Sequence, residues 1–307
     1  MRYPAAARNA ISYRDVPPAV GGPPAPFFTT AYGALFETDC LKFLFHLQDE
    51  SIDCVFADPP FNLGKNYGAG FSDRFAPSEY LNWCTLWISE CARVLKPGGS
   101  FFIYAMPELA YKFANVLEKS LSFRHWIALT MKGTFPRGKK LYPAHYALLY
   151  FSKGQPKTYN RVRLPILKCR HCGGDVKDYG GHRKYLNPQG LNLTDFWEDT
   201  SPNRHRNSKF RRGINELKLM IPERAILMST SDGDVVFDPF GGGGTTFEAA
   251  ECHRRLWIGT EISTTAAIVE RMRERFPESA GHPTKLPLGK LFGNQSRSTT
   301  LRLLEGE

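Results

Sequence analysis

Residues 57–61 read A-D-P-P-F. The D-P-P-F tetrapeptide directly follows the apolar stretch Ile52–Ala57. Neither proline can donate a backbone hydrogen bond to a neighbouring strand, and each restricts the residue before it to extended geometry. Asp58 is therefore predicted to lie at the carboxyl tip of a buried strand, on a stiff bend that ends at the aromatic Phe61. A carboxylate at that position can accept a hydrogen bond or a proton, at the edge where open α/β sheets carry their chemistry.

A second motif at residues 235–246 reads V-V-F-D-P-F-G-G-G-G-T-T, a predicted strand that runs into four glycines. Glycine permits positive φ and close backbone approach, so this turn can lie flat against a ligand, and the helix predicted after it presents free backbone N–H groups. The later run W-I-G-T-E-I places Glu261 at the end of the next strand. An acid about 20 residues beyond a glycine-rich turn is the expected partner of a nucleoside ribose. Either motif alone is a weak signal, but the two together predict a nucleoside cofactor beside a catalytic carboxylate.

The elements that must hold these motifs alternate between strand and helix. Strands are predicted at 34–38, 52–57, 100–105, 123–131, 145–151, 235–238 and 256–260, and helices at 41–47, 78–96, 107–119, 216–229, 246–252 and 264–276. This alternation predicts an α/β fold with a mostly parallel sheet. The strands at 123–131 and 145–151 have no clear helix between them and are expected to form an antiparallel pair.

Composition divides the chain into five segments. Residues 1–28 are predicted to be a loose arm rich in Ala, Pro and Gly, and residues 278–307 a polar tail. Residues 29–151 carry the first motif and residues 213–277 the second. Between them, residues 152–212 form a basic, turn-rich insert.

The net charge of +10 is concentrated in one region. Residues 131–212 contain 18 Lys and Arg against five Asp and Glu, a net charge of +13, whereas the rest of the chain has a net charge of −3. A concentrated positive charge indicates a polyanionic partner. Seven irregularly spaced cysteines argue against a disulfide framework and for a reducing compartment. The sequence shows no signal-peptide pattern and no long apolar run, so a soluble, cytoplasmic protein without membrane contact is expected.

The insert contains a Cys169-x-x-Cys172 pair followed by glycine, which has the spacing of half a zinc knuckle. No second Cys-x-x-Cys occurs in the sequence, so the remaining zinc ligands would have to be His171, His182 or His205. The alternative, which we favour, is a tight turn with two thiols packed inward.

The two motifs in this order resemble the β class of amino-group DNA methyltransferases, a circularly permuted group with a Rossmann-like fold. In that family the D-P-P-[Y/F] half comes first, the S-adenosylmethionine half D-P-F-x-G-x-G-T-T comes second, and the target-recognition region lies between them. The stretch F-A-D-P-P-F-N-L resembles the cell-cycle-regulated adenine-N6 enzymes in particular. The resemblance covers residues 33–151 and 214–275, and the insert corresponds by position only. Residues 215–222, N-E-L-K-L-M-I-P, depart from the family's H-P-T-Q-K-P-like box, which leaves open which residue grips the methionine carboxylate.

The resemblance implies a role for each matching residue. Asp58 and the Pro59 carbonyl would accept hydrogen bonds from the target amine, with Pro60 stiffening the turn and Phe61 stacking on the base. The cofactor residues would be Asp39 and Cys40 beside the adenine of S-adenosylmethionine, Asp238 before the glycine loop, Phe240, Gly241, Gly243 and Thr245 around the methionine portion, and Glu261 on the ribose.

The function implied by this resemblance is methyl transfer to N6 of adenine in double-stranded DNA, after the base is flipped out of the duplex. Cytosine N4 is the alternative target, although cytosine-N4 enzymes of this class usually begin the tetrapeptide with Ser rather than Asp. An inactive DNA-binding relative is disfavoured by the intact Asp58 and glycine loop. Protein glutamine methylation is disfavoured by the motif order and the basic insert. A homodimer and a cognate restriction endonuclease remain open as partners.

Overall fold

The computed structural model describes residues 22–64, 74–131, 141, 144–166, 168–169, 171–175, 177–178, 180–200 and 216–292. Most of these residues belong to one α/β unit built on a large sheet. The strands are β1 Phe28–Thr29, β2 Gly33–Glu37, β3 Ile52–Ala57, β4 Leu95–Ala105, β5 Ser122–Thr130, β6 His145–Ser152, β7 Arg163–Leu164, β8 Leu191–Asn192, β9 Phe196–Trp197, β10 Val235–Asp238 and β11 Leu256–Glu261. The helices are α1 Cys40–Leu44, α2 Pro77–Val94, α3 Pro107–Leu117, α4 Met220–Ser229, α5 Thr245–Cys252, α6 Thr265–Arg275 and α7 Leu288–Leu291.

The large sheet has the strand order β1-β2-β11-β10-β3-β4-β6-β5-β9. The run from β2 to β4 is entirely parallel. β6 is antiparallel to both β4 and β5, so the predicted antiparallel pair is confirmed. Because β10 and β11 lie between β2 and β3, the two motif-bearing segments of the chain build one continuous sheet.

Helices cover both faces of this sheet, as its parallel strands require. Alternating side chains of β3 point to opposite faces: Val55 lies in the core beneath α1, α2 and α3, whereas Cys54 and Phe56 lie in the core beneath α4, α5 and α6. All six residues of β3 are buried. The α/β class and the mostly parallel sheet predicted from the sequence are therefore confirmed.

Several sequence expectations differ from the structure. The helix predicted at 78–96 ends at Val94, and the strand predicted from residue 100 begins at Leu95. Phe28, the last residue of the predicted loose arm, belongs to β1. The helix predicted from Glu216 begins at Met220, because the residues before it run non-helically against the glycine loop. Part of the expected polar tail packs on the core: Leu286, Leu291 and Phe292 are buried, since a few apolar side chains suffice to attach a short segment. The insert also contributes β9 to the large sheet.

Some predictions fall outside the described residues. These are residues 1–21 of the predicted arm, residues 201–212 of the insert with His205, and residues 293–307 of the predicted tail. No described helix is both long and apolar enough to cross a lipid bilayer.

Candidate active site

An acidic residue ends or follows each of four adjacent parallel strands at one edge of the sheet. In spatial order these acids are Asp39 after β2, Glu261 at the end of β11, Asp238 at the end of β10 and Asp58 after β3. Parallel strands present their carboxyl ends at the same edge, so chain segments far apart in sequence deliver these groups to one row. Sequence analysis predicted all four acids, and the strand order places them side by side.

The D-P-P-F turn leaves β3 with Pro59 buried and Asp58, Pro60 and Phe61 partly exposed. The Pro60 carbonyl accepts a hydrogen bond of 2.7 Å from the hydroxyl of Tyr80 in α2. The next residue, Asn62, has a left-handed backbone with φ of 57°. Its side chain accepts from the N–H of Phe75 at 2.8 Å and donates to the Phe75 carbonyl at 3.1 Å. Side chains and backbone from outside the motif therefore hold the turn.

Two tyrosines accompany Phe61, and sequence analysis missed both. The ring of Phe61 lies 6.1 Å from that of Tyr104 and 6.4 Å from that of Tyr146, and the two tyrosine rings stack at 4.9 Å. Burial raises the pKa of both tyrosines, and the negative charge of Asp58 raises it further. Tyr104 near the end of β4 was detectable from its strand-end position. Tyr146 was not, because only the antiparallel pairing of β6 with β4 brings the start of β6 to this edge.

The glycine loop is shaped by what packs behind it. A Cβ on Gly241 would lie 2.9 Å from the ring of Phe247, and a Cβ on Gly243 would lie 2.7 Å from Cγ of Glu216. Gly242 and Gly244 have positive φ of 50° and 77°. A Cβ on Gly242 would meet only its own loop, at 3.7 Å from the Phe240 carbonyl oxygen. The loop is thus pressed flat on one side, and Thr245 begins α5 directly after it.

The carboxylates of Asp238 and Glu261 brace this loop. Asp238 accepts from the Phe240 N–H at 2.9 Å, and Glu261 accepts from the Gly242 N–H at 2.8 Å and the Ser263 N–H at 2.9 Å. Burial raises the pKa of Asp238 well above its usual range, against hydrogen bonds that lower it, and the charges of Asp58 and Glu261 raise it further. These three acids are therefore close enough to interact electrostatically.

Three of the predicted cofactor residues that carry side chains are buried, namely Cys40, Asp238 and Thr245. Cys40 is 5% exposed and belongs to the core, and burial raises its thiol pKa well above the usual range. The ring of Phe240 packs on Trp87 at 5.0 Å and on Trp83 at 5.6 Å. Asp39 caps α1 by accepting from the N–H groups of Leu41 and Lys42. Contact of Cys40 with a ligand would therefore depend mainly on its backbone, whereas Phe240 is only partly buried.

A buried ion network behind the glycine loop was also missed. The guanidinium of Arg271 donates to Glu248 at 2.5 Å and to the Gly243 carbonyl at 2.8 Å, and it lies 3.6 Å from Glu216. Arg275 pairs with the same Glu248 at 2.7 Å. Arg271 and Glu248 lie 23 residues apart on different helices, so no local pattern indicated the network.

The Cys169–Cys172 pair lies on a small hairpin within the insert, closed by a bridge between Lys168 and Asp175. The Cys169 N–H donates to the Gly174 carbonyl at 2.7 Å, and backbone N–H groups of Cys172 and His171 lower the Cys169 thiol pKa. Among the described residues, no group of three or more His, Cys, Asp or Glu side chains is placed to hold a metal. The zinc interpretation therefore stays a prediction, with His205 outside the described residues. The alternative of two thiols packed inward is wrong for Cys172, which is exposed.

The sheet order, the glycine loop and the acid row define a Rossmann-like α/β protein of the kind that binds a nucleoside cofactor at its carboxyl edge. The chain belongs to the N6_N4_Mtase family of DNA methylases, whose sequence profile matches residues 52–269. Family membership supports the resemblance to amino-group DNA methyltransferases. It does not support the narrower likeness to the cell-cycle-regulated enzymes.

Individual relatives fit this assignment. The chain is 45% identical over 281 residues to the type II methyltransferase M.BamHI of Bacillus amyloliquefaciens, covering 91% of this chain and 65% of that protein. Its fold matches that of the PvuII DNA methyltransferase (cytosine-N4-specific), with a TM-score of 0.60, 21% identity and coverage of 82% and 88% of the two chains. It also matches TTHA0409 of Thermus thermophilus, a putative DNA modification methylase solved with S-adenosyl-L-methionine, with a TM-score of 0.56, 19% identity and coverage of 81% and 98%.

Proposed function

We propose that this protein transfers a methyl group from S-adenosylmethionine to the exocyclic amino group of a base in double-stranded DNA. The observation that carries the proposal is the row of acids at one sheet edge, with the D-P-P-F turn at one end and the glycine loop beside it. Family membership supports the reaction class, and the TTHA0409 complex supports the cofactor. M.BamHI supports a role in DNA modification, although this chain spans only 65% of its length.

The site suits the proposed cofactor in charge and shape. S-adenosylmethionine carries positive charge on its sulfonium and amino groups, and Asp39 and Glu261 are acidic groups at the same edge that are only partly buried. Phe247 and Glu216 pack against Gly241 and Gly243 on one side of the loop. Gly242 contacts only its own loop, so a ligand can approach there. Oε1 of Glu261 already accepts from the N–H groups of Ile262 and Ser263, whereas Oε2 accepts from the Gly242 N–H. A carboxylate oxygen has about two acceptor positions, so Oε2 can still accept from a ribose hydroxyl. When bound, the cofactor supplies an electrophilic methyl group.

Asp58 and Pro59 are proposed to act on the amine. An exocyclic amine is a poor nucleophile because its lone pair is delocalised into the ring. If the Asp58 carboxylate and the Pro59 carbonyl each accept one N–H, the nitrogen is held pyramidal and aimed at the methyl group. As the N–C bond forms and the S–C bond breaks, positive charge develops on nitrogen, and the nearby carboxylate stabilises it. Asp58 then takes the released proton or passes it to water.

Phe61, Tyr104 and Tyr146 are proposed to receive the flipped base. Together they form an aromatic wall beside Asp58, and base–aromatic stacking contributes about 1–3 kcal/mol per base. The tyrosine hydroxyls add hydrogen-bonding groups to this wall. Because burial and the Asp58 charge raise their pKa values, both hydroxyls stay protonated near neutral pH and can donate.

Two bases remain as targets. The Asp that begins D-P-P-F favours adenine N6, on resemblance to adenine-N6 enzymes. The fold likeness to the cytosine-N4-specific PvuII enzyme favours cytosine N4 as a second candidate. Both amines flank a ring nitrogen on the Watson–Crick edge, so Asp58 can serve either base.

Product analysis identifies the base directly. DNA from cells that express the protein is expected to contain N6-methyldeoxyadenosine or N4-methyldeoxycytidine after digestion to nucleosides and mass spectrometry. The Asp-first motif predicts the adenine product. N4-methyldeoxycytidine without N6-methyldeoxyadenosine would overturn the adenine assignment and keep the amino-group reaction. The absence of both products, in DNA that the purified protein also leaves unmethylated, would contradict the proposed reaction.

The basic insert is proposed to bind the DNA backbone. Its described basic residues include the exposed Arg161, Lys168, Lys177 and Lys184. Arg204, Arg206, Arg211 and Arg212, which add to the same charge excess, lie outside the described residues. Exposed Lys and Arg side chains gain affinity for DNA by releasing counterions from phosphates.

Neutralising Lys177 and Lys184 together is expected to weaken DNA binding and flatten its salt dependence. Removing one phosphate interaction should lower the slope of log affinity against log salt by about 0.9. Fluorescence anisotropy at several salt concentrations measures this slope. The matched control replaces Lys119 and Lys290, which are also exposed but lie outside the insert. Equal slopes for both double variants would exclude these insert lysines from the DNA interface.

A further inference from the structure

Tyr80 forms a contact with the catalytic turn that the proposed chemistry does not use. This residue lies in the first turn of α2 and is 2% exposed, and its hydroxyl donates to the Pro60 carbonyl at 2.7 Å. Its ring is 5.9 Å from that of Trp83 and 6.5 Å from that of Phe113, within the core beneath the helices. Packing on both rings fixes the direction in which the hydroxyl points.

Two consecutive prolines make this single hydrogen bond important. Neither Pro59 nor Pro60 has a backbone N–H, so the turn can be anchored there only through its carbonyls. The proline ring holds φ of Pro60 near about −65°, which leaves ψ as its one soft backbone torsion. The Pro60 carbonyl and the Phe61 N–H belong to the same planar peptide group. A donor fixed on that carbonyl therefore sets ψ of Pro60 and the direction in which the chain delivers Phe61.

We propose that Tyr80 is a positioning residue of the methyl-transfer reaction, acting through the Pro60 carbonyl to hold Phe61 in place relative to Asp58. This inference rests on the function proposed above for the D-P-P-F turn. The paired contacts between Asn62 and Phe75 hold the far side of the same turn, so the orientation of Phe61 is determined from both ends. Tyr80 itself acts through Pro60 and needs no contact with the base or the cofactor.

The test is the variant Tyr80→Phe, which removes the hydroxyl and keeps the packed ring. We expect the single-turnover rate of methyl transfer to fall about five- to tenfold, because the variant lacks one hydrogen bond that holds the reactive geometry. The dissociation constant for S-adenosylmethionine is expected to stay unchanged. Hydrogen exchange at the amides of residues 61–64 should become faster, since the Phe61 peptide group loses its anchor.

The matched control is Tyr150→Phe in β6. Tyr150 is 1% exposed, and its hydroxyl lies 3.4 Å from that of Ser100, far from the turn in sequence. Tyr150→Phe likewise removes the hydroxyl from a buried ring, so its melting temperature measures the general cost of that change. This variant should neither slow transfer nor speed exchange at residues 61–64. A second control, Cys84→Ala, removes the thiol that contacts the Tyr80 hydroxyl and preserves the Pro60 bond, so transfer should again stay near wild type.

Unchanged exchange at residues 61–64 in Tyr80→Phe would overturn the inference. So would equal slowing of transfer by Tyr80→Phe and Tyr150→Phe, because that result indicates only a general loss of stability. Failure of the proposed function gives a different result: the wild-type protein transfers no methyl group to DNA, while exchange at residues 61–64 still separates Tyr80→Phe from its controls.

Discussion

Replacing Asp58 with alanine is expected to slow methyl transfer by at least about 10²–10³-fold, the range found when one preorganised electrostatic partner of a transition state is removed. The variant loses both the acceptor for the amine N–H and the negative charge that opposes the developing cation. Asp58 lies at the end of the acid row next to Phe61 and the two tyrosines, where the target base is proposed to bind, so cofactor binding should change little. A tritiated-methyl assay measures transfer, and calorimetry measures the dissociation constant for S-adenosylmethionine.

The companion variant Asp58→Asn separates the two contributions. Asparagine keeps the side-chain volume and one carbonyl acceptor but carries no charge. A rate between those of the alanine variant and the wild type would divide the effect between hydrogen bonding and charge. Turnover of Asp58→Ala within tenfold of wild type, at full cofactor saturation, would exclude Asp58 from the reaction.

Replacing Gly243 with valine is expected to weaken S-adenosylmethionine binding about tenfold or more, because overpacking a buried contact costs about 1–3 kcal/mol and about 1.4 kcal/mol corresponds to tenfold in affinity. The new Cβ would lie 2.7 Å from Cγ of Glu216, whose carboxylate is only 3.6 Å from the buried Arg271. Arg271 also holds the Gly243 carbonyl, so the loop cannot shift without disturbing the ion network. Calorimetry with S-adenosylmethionine measures the loss.

Gly289→Val is the matched control for this substitution. A Cβ on Gly289 meets no atom within 4 Å, and Gly289 lies in α7, outside the glycine loop. Its affinity for S-adenosylmethionine should match that of the wild type, and its melting temperature shows what the substitution does without steric conflict. If Gly243→Val binds S-adenosylmethionine as tightly as Gly289→Val, the glycine loop is not the cofactor site.

Several features of the site were predictable from the sequence because the residues that produce them are close together. Proline restricts its own φ and the residue before it, so D-P-P-F after an apolar run was sufficient to predict a strand that ends at a stiff turn. The bounds predicted for β3 and β10 agree with the structure for the same reason: each strand runs directly into an Asp-Pro pair. Glycine likewise marked the loop whose φ values at Gly242 and Gly244 are positive.

Other features were decided only by tertiary structure, because they depend on residues far apart in the chain. β10 and β11 lie between β2 and β3 in the sheet, and this order brings Asp238 next to Asp58 and Glu261 next to Asp238. Tyr80 reaches Pro60 across 20 residues, and Arg271 reaches Gly243 across 28. Side-chain burial also depends on tertiary structure: Cys40 matches the cofactor motif, yet it is buried in the core. The sequence alone therefore determined which chemical groups are present and at which strand ends, whereas long-range packing decided which of them meet and what holds them in position.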